Sequence, residues 1–403
     1  VIMVHAITWE REAPKLEASR SPLTRWLARR RQDAVDQERA SGLARRFLAG
    51  VVGVGLAQDS VSCAGLPGVS TPRITHVTIG TDYDRLVVEM LPGQVIEHYR
   101  EKAGLLAEAV GAACLRFRRI TYGYLAVDVL YRDPLATQIK PVPGPELVLG
   151  LLDNGRRMTV SLDSTAHMIV QGSTRSGKSR FCYGLLVQLV ERSDVLVCGS
   201  DVTGLLLRPF RDTRHEELQA LGSADVEQHL AVLERLVGIM DDRIAKIPDD
   251  TDVYPCGETD PYLFVVLEEL PGLLRLAAAK DGRRNGPLLT GIKAAFGRLL
   301  AEGAKAGLRL LLISQRADAD IIGGFERGQA PVRVSFSVDS KDAVRMLHPA
   351  APDELATAHL TAPPGYALVS APGLPCARLR APHMGDYGAF HAAIARHRSE
   401  PDQ

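Results

Sequence analysis

The chain has 403 residues, 24% of them charged and 5% aromatic, with a formal net charge of zero. That length predicts two or three domains with a real core, and the charge balance excludes a globally basic protein, so any basic surface is local. Six cysteines without C-x-x-C spacing exclude a disulfide frame and a zinc site and fit free thiols in a reducing cytoplasm. No apolar run reaches the roughly 18–20 residues of a spanning helix. The expected location is therefore cytoplasmic, with any membrane association made through a peripheral or membrane-protein partner.

Residues 1–72 read as a helical and linker region. Ser21–Arg31 (SPLTRWLARRR) has a serine cap, a proline at the first helical position and an arginine-rich face. That face reads as the solvated side of a packed helix, with DNA phosphates, a membrane surface or a partner protein as the functional alternatives. Gly, Ser and Pro crowd residues 58–72, a linker signature. Residues 73–140 read as a small α+β domain: strands at Thr75–Gly80 and Arg85–Leu91, a helix at Gln94–Val110, then strands at Cys114–Ile120 and Tyr124–Tyr131. A proline-rich connection, Pro134–Pro145, closes it.

Residues 141–380 read as alternating strands and helices, hence α/β with a mainly parallel sheet. Gly172, Gly177, Lys178 and Ser179 fill G-x-x-x-x-G-K-[ST], between the apolar strand Met168-Ile169-Val170 and an amphipathic helix over Arg180–Glu191. This is the setting of a phosphate-binding P-loop. The loop Gly172, Ser173, Thr174, Arg175, Ser176, Gly177, Lys178, Ser179 and Arg180 is expected to cradle ATP with its amides and the helix dipole. Lys178 would bridge the β- and γ-phosphates, and Ser179 would hold Mg²⁺.

Further on, a strand over Val195–Cys198 and a helix over Ser223–Ile247 precede the apolar run Tyr262–Leu267, which ends in Glu268-Glu269. That is the form of a Walker B strand: Glu268 for Mg²⁺, Glu269 to polarise the attacking water. Glu268 stands where aspartate is usual and is one methylene longer. After a helix over Leu288–Lys305, the strand Leu308–Ser314 ends in Gln315. In a RecA-like sheet that residue sits between the two nucleotide strands and can sense the γ-phosphate. Residues 381–403 read as a tail.

Three stretches carry a resemblance. Ala306–Arg316 (AGLRLLLISQR) resembles the AGIHLxxATQRP segment of the FtsK/SpoIIIE family of DNA-pumping ATPases. Ala330–Ala343 (APVRVSFSVDSKDA) is similar to its later strand and turn, and Pro364–Leu368 (PGYAL) stands where the family has a glycine-containing hairpin. The resemblance implies a RecA-like P-loop motor preceded by a small α+β domain, assembled as a homo-hexamer that threads double-stranded DNA at the expense of ATP. With no spanning anchor ahead of the motor and too short a remainder for a winged helix behind it, the arrangement is similar to the transfer proteins of actinobacterial plasmids and integrative elements. The departures are Glu268, Ala317 for a proline, and Gly303-Ala304-Lys305-Ala306-Gly307 where the family has an arginine, which leaves Arg298 and Lys305 as finger candidates. Lys280, Arg283 and Arg284, in the glycine-flanked turn after Walker B, are the expected DNA contacts, because the family places that loop at the pore. Two alternatives remain open here: a protein-secretion ATPase of the same family, and a nucleotide-gated DNA-binding or assembly protein with little turnover.

Overall fold

The computed structural model describes residues 8–11, 22–61, 67–80, 83–164, 167–283, 285–316 and 323–398, with side chains from residue 33 onward except Val61. Arg284, Ala317, Cys63 and the Ser21–Arg31 side chains lie outside that set. The chain divides into two compact units, Val1–Asp133 and Pro134–Gln403.

In the first unit β1 (Thr8–Arg11) is followed by α1 (Pro22–Gly53), β2 (Gln58–Val61), β3 (Pro67–Ser70), β4 (Arg73–Ile79), β5 (Tyr83–Glu89), α2 (Ile96–Glu101), α3 (Ala103–Val110), β6 (Cys114–Thr121) and β7 (Tyr124–Leu130). Five strands form one sheet in the order β1-β4-β5-β7-β6. The α+β reading of this stretch agrees with these elements. What precedes it does not form a separate linker region. Ala40, Leu43, Ala44, Phe47, Leu48 and Val51 recur at helical spacing on α1 and share one core with Val77, Leu86 and Val127 of the sheet. The helices approach closely: a Cβ on Gly50 of α1 would come within 2.8 Å of Ala109. The expected linker instead pairs β2 with β3 as an antiparallel hairpin.

The second unit is built on a ten-stranded sheet. Its elements run β8 (Glu146–Leu152), β9 (Arg157–Ser161), β10 (Met168–Gln171), α4 (Lys178–Val190), β11 (Val195–Asp201), β12 (Gln219–Leu221), α5 (Val226–Ile244) and β13 (Tyr262–Glu268). There follow α6 (Leu270–Asp281), α7 (Pro287–Glu302), β14 (Leu308–Ser314), α8 (Gly324–Gln329), β15 (Val332–Phe336), α9 (Lys341–Leu347), α10 (Asp353–His359), β16 (Tyr366–Ala371), β17 (Leu374–Arg380) and α11 (Tyr387–Ala395). The strand order is β12-β11-β13-β14-β10-β15-β16-β17-β8-β9. The six strands from β12 to β15 are parallel, and the rest are antiparallel. Strand β14 lies between β10 and β13, as expected for the strand that ends in Gln315.

Both faces of the parallel half are buried, and these strands are mostly apolar, with polar residues gathered largely at their ends. Alternation sorts them: Met168 and Val170 enter the core beneath α4, while Ile169 enters the one beneath α5 and α7. Helix α4 buries Phe181, Leu185, Leu186 and Leu189, each worth about 1.5–3 kcal/mol. The expected tail is also part of this unit. Phe390, Ala393 and Ile394 of α11 are buried, and the Phe390 ring stacks on Tyr183 of α4 at 4.5 Å.

Three buried histidines are expected to make this unit acid-labile. His167 accepts from the Leu310 amide (3.0 Å) while Nε2 meets the Leu300 carbonyl (3.1 Å), which fixes the neutral ring. Burial, with Arg309 nearby, brings it down to about 4. Burial likewise lowers His215 and His348 to about 3 each. Histidines depressed in the folded state stabilise it above about pH 6.5 and lose that contribution as pH falls, about 2 kcal/mol each by pH 5. Glu268 works in the opposite sense, since burial and Asp201 push it up to about 7, and it offsets part of the loss. The melting temperature is expected to fall by roughly 10 °C between pH 7.5 and 5. A flat melting profile over that range would refute the neutral-histidine account.

Candidate nucleotide site

The parallel strands end at one edge, and the loops leaving β10, β13 and β14 meet there with the segments flanking β16 and β17. Such an edge is where open α/β sheets bind ligands. It holds a cavity of about 660 Å³ lined by Gly172–Arg175, Gly177–Arg180, Glu268, Gln315, Pro364, Gly365 and Arg380–His383.

The loop after β10 is pinned from below. The Gly172 amide donates to Gln315 O (3.3 Å), and the Ser173 amide and hydroxyl both donate to Ser337 O (2.9 Å). A Cβ on Gly172 would stand 2.6 Å from the Phe336 Cβ, and one on Gly177 (φ 105°) 2.5 Å from the Gly365 nitrogen. Glycine is required at both places. Above the pins, the amides of Thr174, Arg175, Gly177, Lys178 and Ser179 find no backbone acceptor among the described residues. Helix α4 begins at Lys178 with no side-chain cap. Open amides converging at a helix start form an anion cradle that suits a polyphosphate. Ser176 is the exception in the loop: it is buried beneath the cradle and its hydroxyl has no partner there.

Glu268 ends β13 in register with Asp201 of β11. The Asp201 carboxylate is saturated by Thr203 and by the amides of Gly204, Leu206 and Leu207, at 2.7–2.9 Å. Glu268 Oε2, in contrast, is buried without a hydrogen-bond partner. Burial first, and Asp201 next, raise Glu268 to about 7, against the pull of Lys178. A buried orphan carboxylate oxygen in the same cavity as Ser179 is the environment a hard cation relieves, so these residues fit Mg²⁺ shared with phosphate oxygens. Among the described residues no cluster of three His, Cys, Asp or Glu side chains forms a metal site alone.

Glu269 is placed differently from the expectation. It does not line the cavity; its backbone turns through a left-handed conformation (φ 54°) to start α6, and its carboxylate lies 3.9 Å from Arg275. The expected DNA turn also differs. The Asp281 carboxylate at the end of α6 accepts from the Leu288 and Leu289 amides and so caps α7. Lys280 is paired with Glu227, while Arg283 is exposed. Arg298 is bound bidentately by Asp241 (2.6 and 3.0 Å) and by Glu302. Sequence reasoning missed Gly365, Arg380 and His383, which reach the cavity from more than 180 residues beyond the P-loop. The Arg380 guanidinium lies 4.4 Å from the Tyr366 ring centre and donates to Pro364 O. The PGYAL match was the one signal that pointed there, although Gly365 precedes β16 and the β16–β17 turn is at Gly373.

Over 295 residues, 67% of this chain, the sequence is 27% identical to the DNA translocase SftA of Bacillus subtilis. Over 349 residues, 77% of this chain, it is 24% identical to the DNA translocase FtsK of Mycobacterium tuberculosis. The sequence is thus similar to DNA translocases of the FtsK/SpoIIIE type over two thirds or more of its length. It spans 30% and 39% of the length of those two family members. No family model matches the chain. The structure of the pCW3 conjugation coupling protein TcpA, in its monomer form with ATPγS, has the same fold. The two agree with a TM-score of 0.54 at 18% identity over 88% of this chain and 99% of that one. The cavity lies at the parallel-strand edge of this shared P-loop ATPase fold. Among the described residues no helix is long and apolar enough to cross a membrane.

Proposed function

We propose that the chain is an ATP-driven double-stranded DNA translocase, working as a homo-hexamer and serving intercellular transfer of a plasmid or integrative element. The observation that carries this is the convergence of five open amides, Lys178, Ser179, Glu268 and Gln315 in one cavity at the parallel strand ends. Support for DNA as the track comes from the named DNA translocases, whose match runs over two thirds or more of the chain. Lys178 binds and neutralises the β- and γ-phosphates, and Gln315 reads the γ-phosphate from the end of β14. Ser179 and Glu268 hold Mg²⁺, which supplies charge neutralisation on the transferring phosphoryl group. Glu269 orients the attacking water once it leaves Arg275.

The test is ATP hydrolysis with and without linear double-stranded DNA, combined with displacement of a third strand from a triplex. Strong stimulation and displacement uphold the proposal. Turnover indifferent to DNA favours a motor acting on protein. Tight ATP binding with near-zero turnover favours a nucleotide-gated binding protein, a reading that Glu268, one methylene longer than the usual aspartate, supports. The conjugal step is tested separately, by loss of transfer between cells when the gene is deleted and its recovery with the wild-type chain.

The turn between α6 and α7 is proposed as the DNA grip through Lys280, Arg283 and Arg284. Contacts made there are to phosphates, because a motor passes over any sequence. Replacing all three by alanine is expected to weaken binding equally across sequences and to lower the salt slope by roughly 2–3, about 0.9 for each phosphate no longer neutralised. Basal hydrolysis stays near wild type, while DNA stimulation falls. Since Lys280 must give up Glu227 to reach DNA, its share is the smallest. An unchanged salt slope in the triple variant would remove this turn from the DNA path.

A further inference from the structure

Arg175 sits in the P-loop at φ 67°, a left-handed backbone where glycine is unstrained and an L side chain is not. Only two other non-glycine residues among those described share such a φ. Asp212 is of a type that tolerates it and donates its amide to Glu216, and Glu269 starts a helix. Arg175 has no such local compensation. Its side chain is exposed, lines the cavity with Lys178, Glu268 and Gln315, and has no ion-pair or hydrogen-bond partner among the described residues. Strain retained at an active loop with nothing among the described residues to offset it points to a role met only when the site is filled.

The other candidate cations are placed differently. Arg298 is held by Asp241 and Glu302, and Lys305 lies just ahead of β14, at the opposite end of that strand from the cavity. Arg380 is engaged by Pro364 O and Tyr366, and Arg180 sits unstrained on α4. We infer that Arg175 is a catalytic cation supplied by the same chain, its guanidinium binding the γ-phosphate oxygens of ATP and offsetting their charge during hydrolysis. In that step the water oxygen bonds to the γ-phosphorus, the bond to the β–γ bridging oxygen breaks, and the bridging oxygen leaves with ADP. The water proton passes to Glu269. Arg175 forms no covalent bond. The inference rests on the nucleotide-site reading above.

The experiment compares wild type, Arg175→Gly and Arg175→Lys in Mg²⁺-dependent binding of ATPγS and of ADP, in ATP turnover and in thermal melting. Glycine removes the charge and relieves the backbone, so the melting temperature holds or rises. ATPγS affinity is expected to fall about 10-fold in Arg175→Gly with ADP affinity unchanged, and turnover to fall about 100-fold or more. Lysine restores part of the ATPγS affinity and little of the turnover, because an ammonium cannot form the bidentate fork. Equal loss of ATPγS and ADP affinity, or no loss of either, overturns the inference while leaving the nucleotide site standing. A wild-type chain that binds neither nucleotide overturns the site reading itself, and this inference with it.

Discussion

Lys178→Ala is expected to leave a folded chain with no measurable ATP turnover. Lys178 is the first residue of α4, half-buried at the cavity wall, and the face that α4 buries begins at Phe181. Alanine is a better helix former than lysine and removes nothing from either core, so the melting temperature should stay within a few degrees of wild type. The ammonium, however, is a cation placed at the cavity wall against the transferring phosphates. Losing a preorganised charge of this kind raises the barrier by about 3–5 kcal/mol, or roughly 10²–10⁴ in rate. Steady-state hydrolysis and equilibrium ATP binding measured on the same preparation separate the two effects. Turnover near the wild-type rate in a folded Lys178→Ala chain would dispose of the nucleotide assignment.

The second large effect separates the paired glutamates. Glu269→Gln is expected to bind ATP with near wild-type affinity and to hydrolyse it roughly 10²–10⁴ times more slowly, since an amide cannot take the proton from water. Its backbone is well fixed: the Glu269 amide donates to Ile313 O (2.9 Å) and its carbonyl accepts from Gly272 (2.7 Å). Only the side chain has to move, away from an exposed guanidinium at 3.9 Å. A surface ion pair of that length is worth under about 1 kcal/mol, so the movement is cheap. Glu268→Gln should instead raise the Mg²⁺ concentration needed for half-maximal turnover, because it neutralises the carboxylate that faces the cavity. A mirror-image outcome, with Glu268→Gln trapping ATP and Glu269→Gln active, would mean the two roles are exchanged.

Much of this site could be read in the sequence because its parts are contiguous. Gly172 to Arg180 is one run, Glu268 and Gln315 end apolar strands, and strand order follows from β-α alternation. Arg380 and His383 were hidden because two antiparallel pairings bring them back to the P-loop, and nothing local marks such a return. The β8–β9 hairpin escaped for another reason: a register shift between Val148 and Gly150 breaks the period-2 pattern on which strand recognition depends. The arginine-rich start of α1 drew attention away from the apolar stripe, which among the described side chains runs from Ala40 to Val51. The left-handed backbones of Arg175 and Glu269 leave no trace in side-chain chemistry, since both residue types are ordinary in other conformations.

The packing beneath the P-loop restricts how this protein can vary. The Ser176 carbonyl accepts from the Gly365 amide (2.9 Å), a Cβ on Gly177 would overlap the Gly365 backbone, and a Cβ on Gly365 would come within 3.1 Å of the Arg380 guanidinium. Three positions spread over two hundred residues therefore share one small volume, and a mutation at any of them is judged by the other two. Replacing glycine at 177 or 365 is expected to strain the backbone, and at 177 to collide with the Gly365 backbone as well. Grafting this P-loop onto another motor would therefore require bringing the distant segment around 364–383 along.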